Sequence, residues 1–289
     1  MFKSRMVKVL SLMLVLILAF SVVGCGKKEE PKKDGAQGNP NELSGTVQIA
    51  GSTSVQPLSE ELAKEFMNKN PKVKINVAGG GSGAGIKAAA EGTADIGASS
   101  RELKAEEKAK VKEFVIALDG IAVIVHKDNK IADLKKEDIK KIFLGEITDW
   151  SQVGGEKGKI QVYTREEGSG TRGAFEEIVL GKDASGKELK IFEKANVQNS
   201  TGAVRTAVAG DKNGIGYISI GSLNADVKAV KVDGAEATEA NVKAENYKIS
   251  RPFIYMTQKD PAGATKAYLE WVLSPEGQAV VKKHFIPVK

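Results

Sequence analysis

The residues whose types and spacing could do chemistry lie in four short loops and at one arginine. Three loops are rich in glycine and hydroxyl side chains: Gly51 to Ser54, Gly79 to Gly85 around Ser82, and Gly168 to Thr171. A fourth loop, Ala98 to Arg101, has hydroxyls without the glycines, and Arg165 lies four residues before Ser169. Glycine lets the backbone approach a ligand, hydroxyls donate hydrogen bonds, and a guanidinium pairs two oxygens at once. Any one loop could be a turn or a helix cap, but the set predicts a cradle for a small oxyanion.

The same residues do not match the common enzyme motifs. No glycine run contains the P-loop pattern G-x-x-x-x-G-K-[ST], and neither Ser82 nor Ser169 lies in a G-x-S-x-G nucleophile elbow. The histidines are His126 and His284 and the single cysteine is Cys25, which leaves little for a triad or a Cys/His zinc site. We therefore expect a binding protein rather than an enzyme, with no metal and no cofactor.

Strand and helix patterns alternate along the chain and would position these loops. Leu58, Leu62 and Phe66 recur every four residues, which predicts one face of a helix, and residues 73–77 alternate as a strand does. Further helices are expected at 86–90, 104–113, 135–144, 171–180, 201–209, 262–273 and 275–283. Further strands are expected at 47–50, 94–98, 114–118, 121–125, 160–163, 215–218 and 253–257. The alternation predicts an α/β fold with largely parallel sheets, in which ligands gather at the carboxyl ends of the strands.

The N-terminus has the pattern of a secretion signal. Three basic residues among the first eight precede an apolar stretch from Val9 to Val23. This pattern predicts a signal peptide over residues 1–24, with an uncleaved membrane anchor as the alternative. Val22-Val23-Gly24-Cys25 resembles the lipobox of bacterial lipoproteins, in which the cysteine takes a diacylglycerol and becomes the new N-terminus. Lipidation would also account for the chain's only cysteine.

Residues 25–45 are expected to form a flexible tether that begins at lipidated Cys25. From 26 to 44 the chain is rich in Lys, Glu, Pro and Gly, and its one large apolar residue is Leu43, too little apolar surface to order a segment. The net charge of the whole chain is +6, and lysines alternate with acids along most of its length. Such a diffuse charge does not indicate a nucleic-acid partner.

The ordered set of motifs is similar to that of a known family. The motifs are Gly51-Ser-Thr-Ser-Val-Gln-Pro57, Gly80-Gly-Ser-Gly-Ala-Gly-Ile-Lys87, Ala94-Asp-Ile-Gly-Ala-Ser-Ser-Arg101, Ile142-Phe-Leu-Gly-Glu-Ile-Thr-Asp-Trp150 and Arg165-Glu-Glu-Gly-Ser-Gly-Thr171. From about Gly45 to the C-terminus they resemble the phosphate-binding proteins of bacterial phosphate-specific ABC importers. The resemblance implies binding of inorganic phosphate outside the cytoplasm and delivery to permease and ATPase subunits, by a monomer held at the cell membrane through its lipid anchor, as on a Gram-positive-type surface.

The family's fold is the two-lobed periplasmic-binding-protein fold of type II, with the ligand in the cleft between the lobes. The chain would cross between the lobes twice, near 120–126 and 248–254, and these crossings would act as the hinge. The resemblance thus implies a discontinuous first lobe, 46–122 and 251–289, and a second lobe, 123–250.

The family's ligand-binding residues transfer to eight positions of this sequence. From the first lobe they are hydroxyl and backbone donors at Thr53, Ser54 and Ser82, and Ser100 at the position of the family's acceptor. From the second lobe they are the bidentate arginine and a run of donors at a helix start: Arg165, Ser169, Gly170 and Thr171.

Ser100 is a departure from the family pattern. Well-known members have an aspartate there, which accepts the proton of hydrogen phosphate and so rejects sulfate. We hypothesise that Ser100 takes over as acceptor with help from Glu166 or Glu167, although these two could instead face solvent or pair with Arg165 or Arg172. Arg101 could add positive charge to the site or simply pair with Glu102.

Two other functions remain open from the sequence. A receptor of the same fold could bind another tetrahedral oxyanion, such as sulfate, molybdate or tungstate. A surface lipoprotein could use the fold for adhesion or signalling without transport.

Overall fold

The computed structural model describes residues 42–288. Its strands are β1 (Gly45–Gly51), β2 (Val73–Gly79), β3 (Ile96–Ser99), β4 (Lys112–His126), β5 (Asp133–Leu134), β6 (Gln161–Arg165), β7 (Asn196–Gln198), β8 (Gly214–Ser219), β9 (Val227–Ala229), β10 (Lys231–Val232) and β11 (Ser250–Thr257). Its α-helices are α1 (Gln56–Lys69), α2 (Ser82–Glu91), α3 (Ala105–Lys108), α4 (Lys136–Leu144), α5 (Gly170–Phe175), α6 (Thr201–Ala209), α7 (Glu239–Lys243), α8 (Gly263–Val272) and α9 (Pro275–Val281). Short 3-10 turns cover Trp150–Val153 and Ile220–Ser222, and a π-helical turn, Glu176–Leu180, extends α5.

One long strand, β4, takes part in both halves of the sheet. The hydrogen-bonded strand order is β2-β1-β3-β11-β4-β8-β6-β7, with β9 also paired to β4. The first part of β4, up to Gly120, pairs antiparallel with β11, whereas the part from Ile121 onward pairs antiparallel with β8 and β9. β4 therefore runs from one half of the sheet into the other, and β11 lies beside it at the crossing.

Two separate hydrophobic cores lie on either side of this crossing. One packs α1, α8 and α9 against the β1, β3 and β11 side, and its buried residues include Val47, Leu58, Phe66, Tyr255 and Tyr268. The other packs α4, α5 and α6 against the β6 and β8 side, and its buried residues include Ile124, Phe143, Trp150, Phe175 and Tyr217. We call these the first and the second lobe. The α/β, two-lobed fold class expected from the sequence is confirmed.

The sheet is more mixed than the alternating pattern predicted. β1 pairs parallel with β2 and β3, and β6 pairs parallel with β7 and β8. The pairings of β4 and β11 are antiparallel. The expectation of largely parallel sheets was therefore wrong at the crossing, because the two strands that leave and re-enter the first lobe run in opposite directions.

The expected helix 104–113 is wrong beyond its first turn. α3 ends at Lys108, and β4 begins at Lys112, which pairs with Thr257 of β11. The two strands expected at 114–118 and 121–125 form a single strand of 15 residues. Gly120 lies between the two expected strands, and here it allows close packing within the single strand, since a β-carbon would lie 2.1 Å from Cδ1 of Ile220.

The helix expected at 86–90 begins earlier, at Ser82, so part of the glycine run is helical. A β-carbon on Gly85 would lie 2.7 Å from the carbonyl oxygens of Ala50 and Ala98. Glycine at this position therefore lets α2 lie directly on β1 and β3. Helices expected at 135–144, 201–209, 262–273 and 275–283 are confirmed within one or two residues at most ends.

A buried ion pair joins the strands at the crossing. Asp119 of β4 and Arg251 of β11 are paired in register, and Nη2 of Arg251 lies 3.1 Å from Oδ2 of Asp119. Ser219 of β8 donates to Oδ1 of Asp119 at 2.8 Å. Both charged side chains are at most 2% exposed. Burial raises the pKa of Asp119 to about 6, which the charge of Arg251 only partly opposes.

The predicted signal peptide, Cys25 and most of the predicted tether lie outside the described residues. Within 42–288, Leu43 packs partly against the first core and Gly45 pairs with Val73, so the last residues of the expected tether belong to the first lobe. None of the helices in this range is both long and apolar enough to cross a membrane.

Replacing the buried acid of the crossing should destabilise the fold. In Asp119→Asn the charge of Arg251, whose Nη1 has no hydrogen-bond partner among residues 42–288, loses its countercharge. We expect the free energy of unfolding, measured with urea, to fall by about 3–5 kcal/mol. The matched control is Asp260→Asn, which breaks the exposed pair with Lys112 and should cost about 1 kcal/mol or less. Equal effects of the two substitutions would contradict the interpretation.

Candidate anion-binding site

The predicted site residues come from ends of strands and starts of helices, where the α/β arrangement leaves backbone donors free. Ser52 to Ser54 connect β1 to α1, and Ser82 is the first residue of α2. Ser100 follows β3, and Arg165 is the last residue of β6. Ser169 caps α5, where its Oγ accepts the amide of Arg172 at 3.2 Å and its hydroxyl hydrogen remains a possible donor.

Three serines of the first lobe form a buried hydroxyl cluster. Ser52 donates to Oγ of Ser100 at 2.8 Å, and Oγ of Ser82 lies 3.4 Å from that of Ser100. Oγ of Ser82 also accepts the amide of Ser100 at 3.0 Å. The three residues are between 0% and 4% exposed. Ser52 was not among the predicted ligands. It could have been predicted from its position in the Gly51 to Ser54 loop.

The guanidinium of Arg165, from the second lobe, makes three hydrogen bonds within the described part of the chain and keeps other N–H groups unused there. Its Nε and Nη2 each donate to a carboxylate oxygen of Glu166 at 2.8 Å, and its Nη1 donates to Oγ1 of Thr201 at 3.2 Å. A guanidinium has five N–H groups. One N–H on each terminal nitrogen is therefore left without a partner among residues 42–288, and a carboxylate or oxyanion could accept from both nitrogens. The Arg165 side chain is 2% exposed.

The strand beneath Arg165 is held by a buried tyrosine. The hydroxyl of Tyr217 lies 2.7 Å from Oγ1 of Thr164 and accepts the amide of Arg165 at 3.4 Å. Burial raises the pKa of Tyr217, so it stays a neutral hydroxyl. Arg172 is anchored within the second lobe, where its Nε donates to Glu176 at 2.8 Å and its Nη1 donates to the carbonyl of Arg165 at 3.0 Å.

Polar groups of the two lobes meet directly. Oγ of Ser54 lies 2.8 Å from Oγ1 of Thr171, and the amide of Gly83 donates to the carbonyl of Gly168 at 2.9 Å. A β-carbon on Gly170 would lie 2.2 Å from Oγ of Ser82 and 2.9 Å from Oγ of Ser100. Glycine at position 170 is therefore required for the α5 start to approach the serine cluster.

Thr201 is a second contact residue, besides Ser52, that the sequence did not reveal. Its Oγ1 lies 2.8 Å from Oγ of Ser54 and 3.3 Å from Oγ1 of Thr53, and its amide donates to Oγ1 of Thr53 at 3.2 Å. The sequence placed a helix at 201–209 but gave no glycine-rich loop before it, so the signal was limited to the polar run Asn199-Ser200-Thr201.

The structure thus brings together all eight predicted residues. Ser54, Ser82, Ser100, Arg165, Ser169 and Thr171 are at most 2% exposed. The sequence left open whether Glu166 and Glu167 pair with an arginine or face solvent. Glu166 pairs with Arg165, and Glu167 is exposed. Arg101 pairs with Glu107, with both terminal nitrogens 2.8 Å from its carboxylate oxygens, and also donates to the carbonyl of Glu102.

Comparison with known proteins identifies the family of the chain. Residues 36–276 match the PBP superfamily domain. The chain is 30% identical to the phosphate-binding protein PstS of Bacillus subtilis, over 99% of this chain and 95% of that protein. A phosphate ABC transporter substrate-binding protein of Clostridium perfringens, solved with bound phosphate, is 45% identical with a TM-score of 0.80, over 85% of this chain and all of that one. An ABC-type phosphate transport receptor of Vibrio cholerae is 34% identical with a TM-score of 0.68, over 84% and 100%. The resemblance expected from the motifs is confirmed: this chain belongs to the PBP superfamily and, within it, to the substrate-binding proteins of phosphate ABC transporters.

Proposed function

We propose that this protein binds inorganic phosphate outside the cytoplasm and delivers it to an ABC importer. The observation that carries the proposal is the convergence of Arg165, with one unpartnered N–H on each terminal nitrogen among the described residues, and buried hydroxyls from both lobes. Phosphate is bound in the Clostridium perfringens relative, which shares 45% of its residues with this chain.

The donors of the site suit a dianion held by many hydrogen bonds. Thr53, Ser54 and Ser82 would donate from the first lobe, and Ser169, Gly170 and Thr171 from the second, together with Arg165. A hydrogen bond to a charged group contributes about 1.5–3 kcal/mol, and micromolar affinity requires only about 8 kcal/mol. The excess offsets the dehydration of the anion and the ordering of the lobes.

Binding would be coupled to hinge closure. We propose that the first lobe comprises 46–122 and 251–289, that the second comprises 123–250, and that β4 and β11 bend at their crossing. The closed form would be the one that the permease recognises, since only there do both lobes present one continuous surface. The described residues offer donors for a tetrahedral anion but no serine paired with a histidine base, and we propose no catalytic role.

Recognition of the phosphate proton is proposed to involve Ser100 and Glu166. Ser100 Oγ accepts from Ser52, and its contact with Ser82 at 3.4 Å uses either its hydrogen or its second lone pair, so the other of these two is left for a ligand. Glu166 has each carboxylate oxygen bonded once to Arg165, which leaves further acceptor sites on both. A neutral acceptor at position 100 lacks the charge that would repel sulfate, so selectivity should be weaker than an aspartate would give.

We also propose that Cys25 is lipidated and that the following residues tether the lobes to the outer face of the cell membrane. Two or more acyl chains give stable anchoring where a single chain is marginal, because each buried methylene adds about 0.8 kcal/mol. The bound protein would act as a monomer in this position.

Removal of the arginine should weaken phosphate binding. In Arg165→Ala we expect calorimetric affinity for phosphate to fall at least about tenfold, since the bidentate donors are lost. The control is Arg205→Ala, in the same lobe, where Arg205 donates to the carbonyl of Ser222 at 2.8 Å. Unchanged affinity in Arg165→Ala would remove this residue from the site and contradict the proposed function.

An acid at position 100 should increase the selectivity for phosphate over sulfate. In Ser100→Asp we expect the ratio of phosphate to sulfate affinity, measured by competition calorimetry, to rise at least about tenfold, because an unpaired carboxylate acceptor rejects an anion without a proton. Ser100→Asn has the same shape without the charge and should leave the ratio nearly unchanged. If both variants behave alike, the proton is recognised elsewhere.

Loss of the Cys25 thiol should release the protein from the membrane. In cells expressing Cys25→Ser we expect the protein to leave the membrane fraction, because no acyl chain can be attached. Phosphate affinity of the released protein should equal that of the wild type, since Cys25 precedes the folded lobes. Continued membrane association of Cys25→Ser after a high-salt wash would argue for an uncleaved apolar anchor.

A further inference from the structure

We propose that Thr201 is a positioning residue of the anion site, whose hydroxyl orients the Arg165 guanidinium and ties it to the first lobe. The proposal rests on the proposed phosphate-binding function and assigns a role to a residue outside the glycine-rich loops. Thr201 would determine how firmly the bound anion is held, without contacting it.

The contacts of Thr201 connect the lobes through one oxygen. Oγ1 of Thr201 lies 3.2 Å from Nη1 of Arg165, 2.8 Å from Oγ of Ser54 and 3.3 Å from Oγ1 of Thr53. Ser54 in turn lies 2.8 Å from Oγ1 of Thr171. Thr201 is 3% exposed, so water competes little for these bonds. The charged Arg165 is thereby linked to three of the proposed phosphate ligands.

The donors and acceptors of these groups determine which partner donates in the hydrogen bond between Arg165 and Thr201. A guanidinium only donates, so Oγ1 of Thr201 must use a lone pair to accept from Arg165. Its hydrogen and remaining lone pair are then available to the hydroxyls of Ser54 and Thr53. Glu166 holds one edge of Arg165 through Nε and Nη2, and Thr201 holds Nη1. With both contacts in place, the guanidinium plane has little freedom to rotate away from the anion.

The position of Thr201 at the start of α6 strengthens this arrangement. Ser200 caps the helix by accepting the amide of Ala203 at 3.1 Å, which leaves the first amide of the helix free for another partner. That amide, from Thr201, donates to Oγ1 of Thr53 across the cleft at 3.2 Å. Backbone and side chain of one residue therefore bind the same first-lobe loop, and the branched β-carbon restricts the side-chain rotamer.

The test compares Thr201→Val, which keeps the shape and removes the hydroxyl, with Thr201→Ser, which keeps the hydroxyl. We expect phosphate affinity in Thr201→Val to fall about tenfold, as for loss of a hydrogen bond to a charged group, mainly through faster dissociation. Thr201→Ser should stay within about threefold of wild type, because the hydrogen bond is worth much more than the lost methyl. The control Thr206→Val, an exposed position on the same helix, should bind normally.

A double-mutant cycle separates positioning from independent binding. If Thr201 acts through Arg165, then Thr201→Val combined with Arg165→Ala should bind phosphate no more weakly than Arg165→Ala alone. The thermal midpoint of Thr201→Val without phosphate should fall by no more than a few degrees below that of Thr206→Val, because Arg165 loses one buried acceptor while the rest of the fold is unchanged.

Three results would overturn the inference. They are wild-type affinity in Thr201→Val, fully additive losses in the double variant, or a drop in the ligand-free thermal midpoint that accounts for the lost affinity. Normal binding by Arg165→Ala would instead count against the proposed function, because it would show that the anion does not depend on the guanidinium that Thr201 contacts.

Discussion

The candidate site depends on one buried cation, Arg165, which keeps two N–H groups without a partner among residues 42–288. A charge that is 2% exposed is costly unless it is paired and hydrogen-bonded. Glu166 supplies the pairing along one edge, and Thr201 accepts from the remaining terminal nitrogen. Because these partners leave one N–H open on each terminal nitrogen, the same arrangement that stabilises the arginine leaves it donors that an oxyanion could accept.

A second constraint is geometric and concerns the crossing of the lobes. β4 passes from the first lobe into the second, and β11 returns beside it, with Asp119 and Arg251 buried between them. Each lobe has its own hydrophobic core, so relative motion need not disturb the packing within either lobe. At the candidate site the contacts between the lobes are instead polar, as from Ser54 to Thr171 and from Gly83 to Gly168. Apolar contact between the lobes occurs elsewhere, where Ile286 joins the second core and Phe285 lies against Gly221.

Much of the site could be predicted because its chemistry is local in the sequence. The loops around Thr53, Ser82 and Ser169 can be recognised by their glycine and hydroxyl residues, since close backbone approach requires glycine and anion binding requires donors. Thr201 and Ser52 could not be assigned in this way, because their roles come from neighbours 36 to 148 residues away in the chain. The continuous β4 was missed for a related reason: Asp119-Gly120 resembles a turn until the packing of Ile220 against Gly120 is known.

By itself the sequence determined the alternation of strands and helices, the family and the set of loops that carry donors, since these follow from periodicity and from residue types next to each other. Only the tertiary structure decided which donors remain free. Whether an N–H of Arg165 or a hydroxyl of Ser100 is already bonded depends on side chains brought together by the sheet and the lobe crossing. Hydrogen-bond valence is a property of the assembled site, because each bond made within the protein removes one that could be made to a ligand.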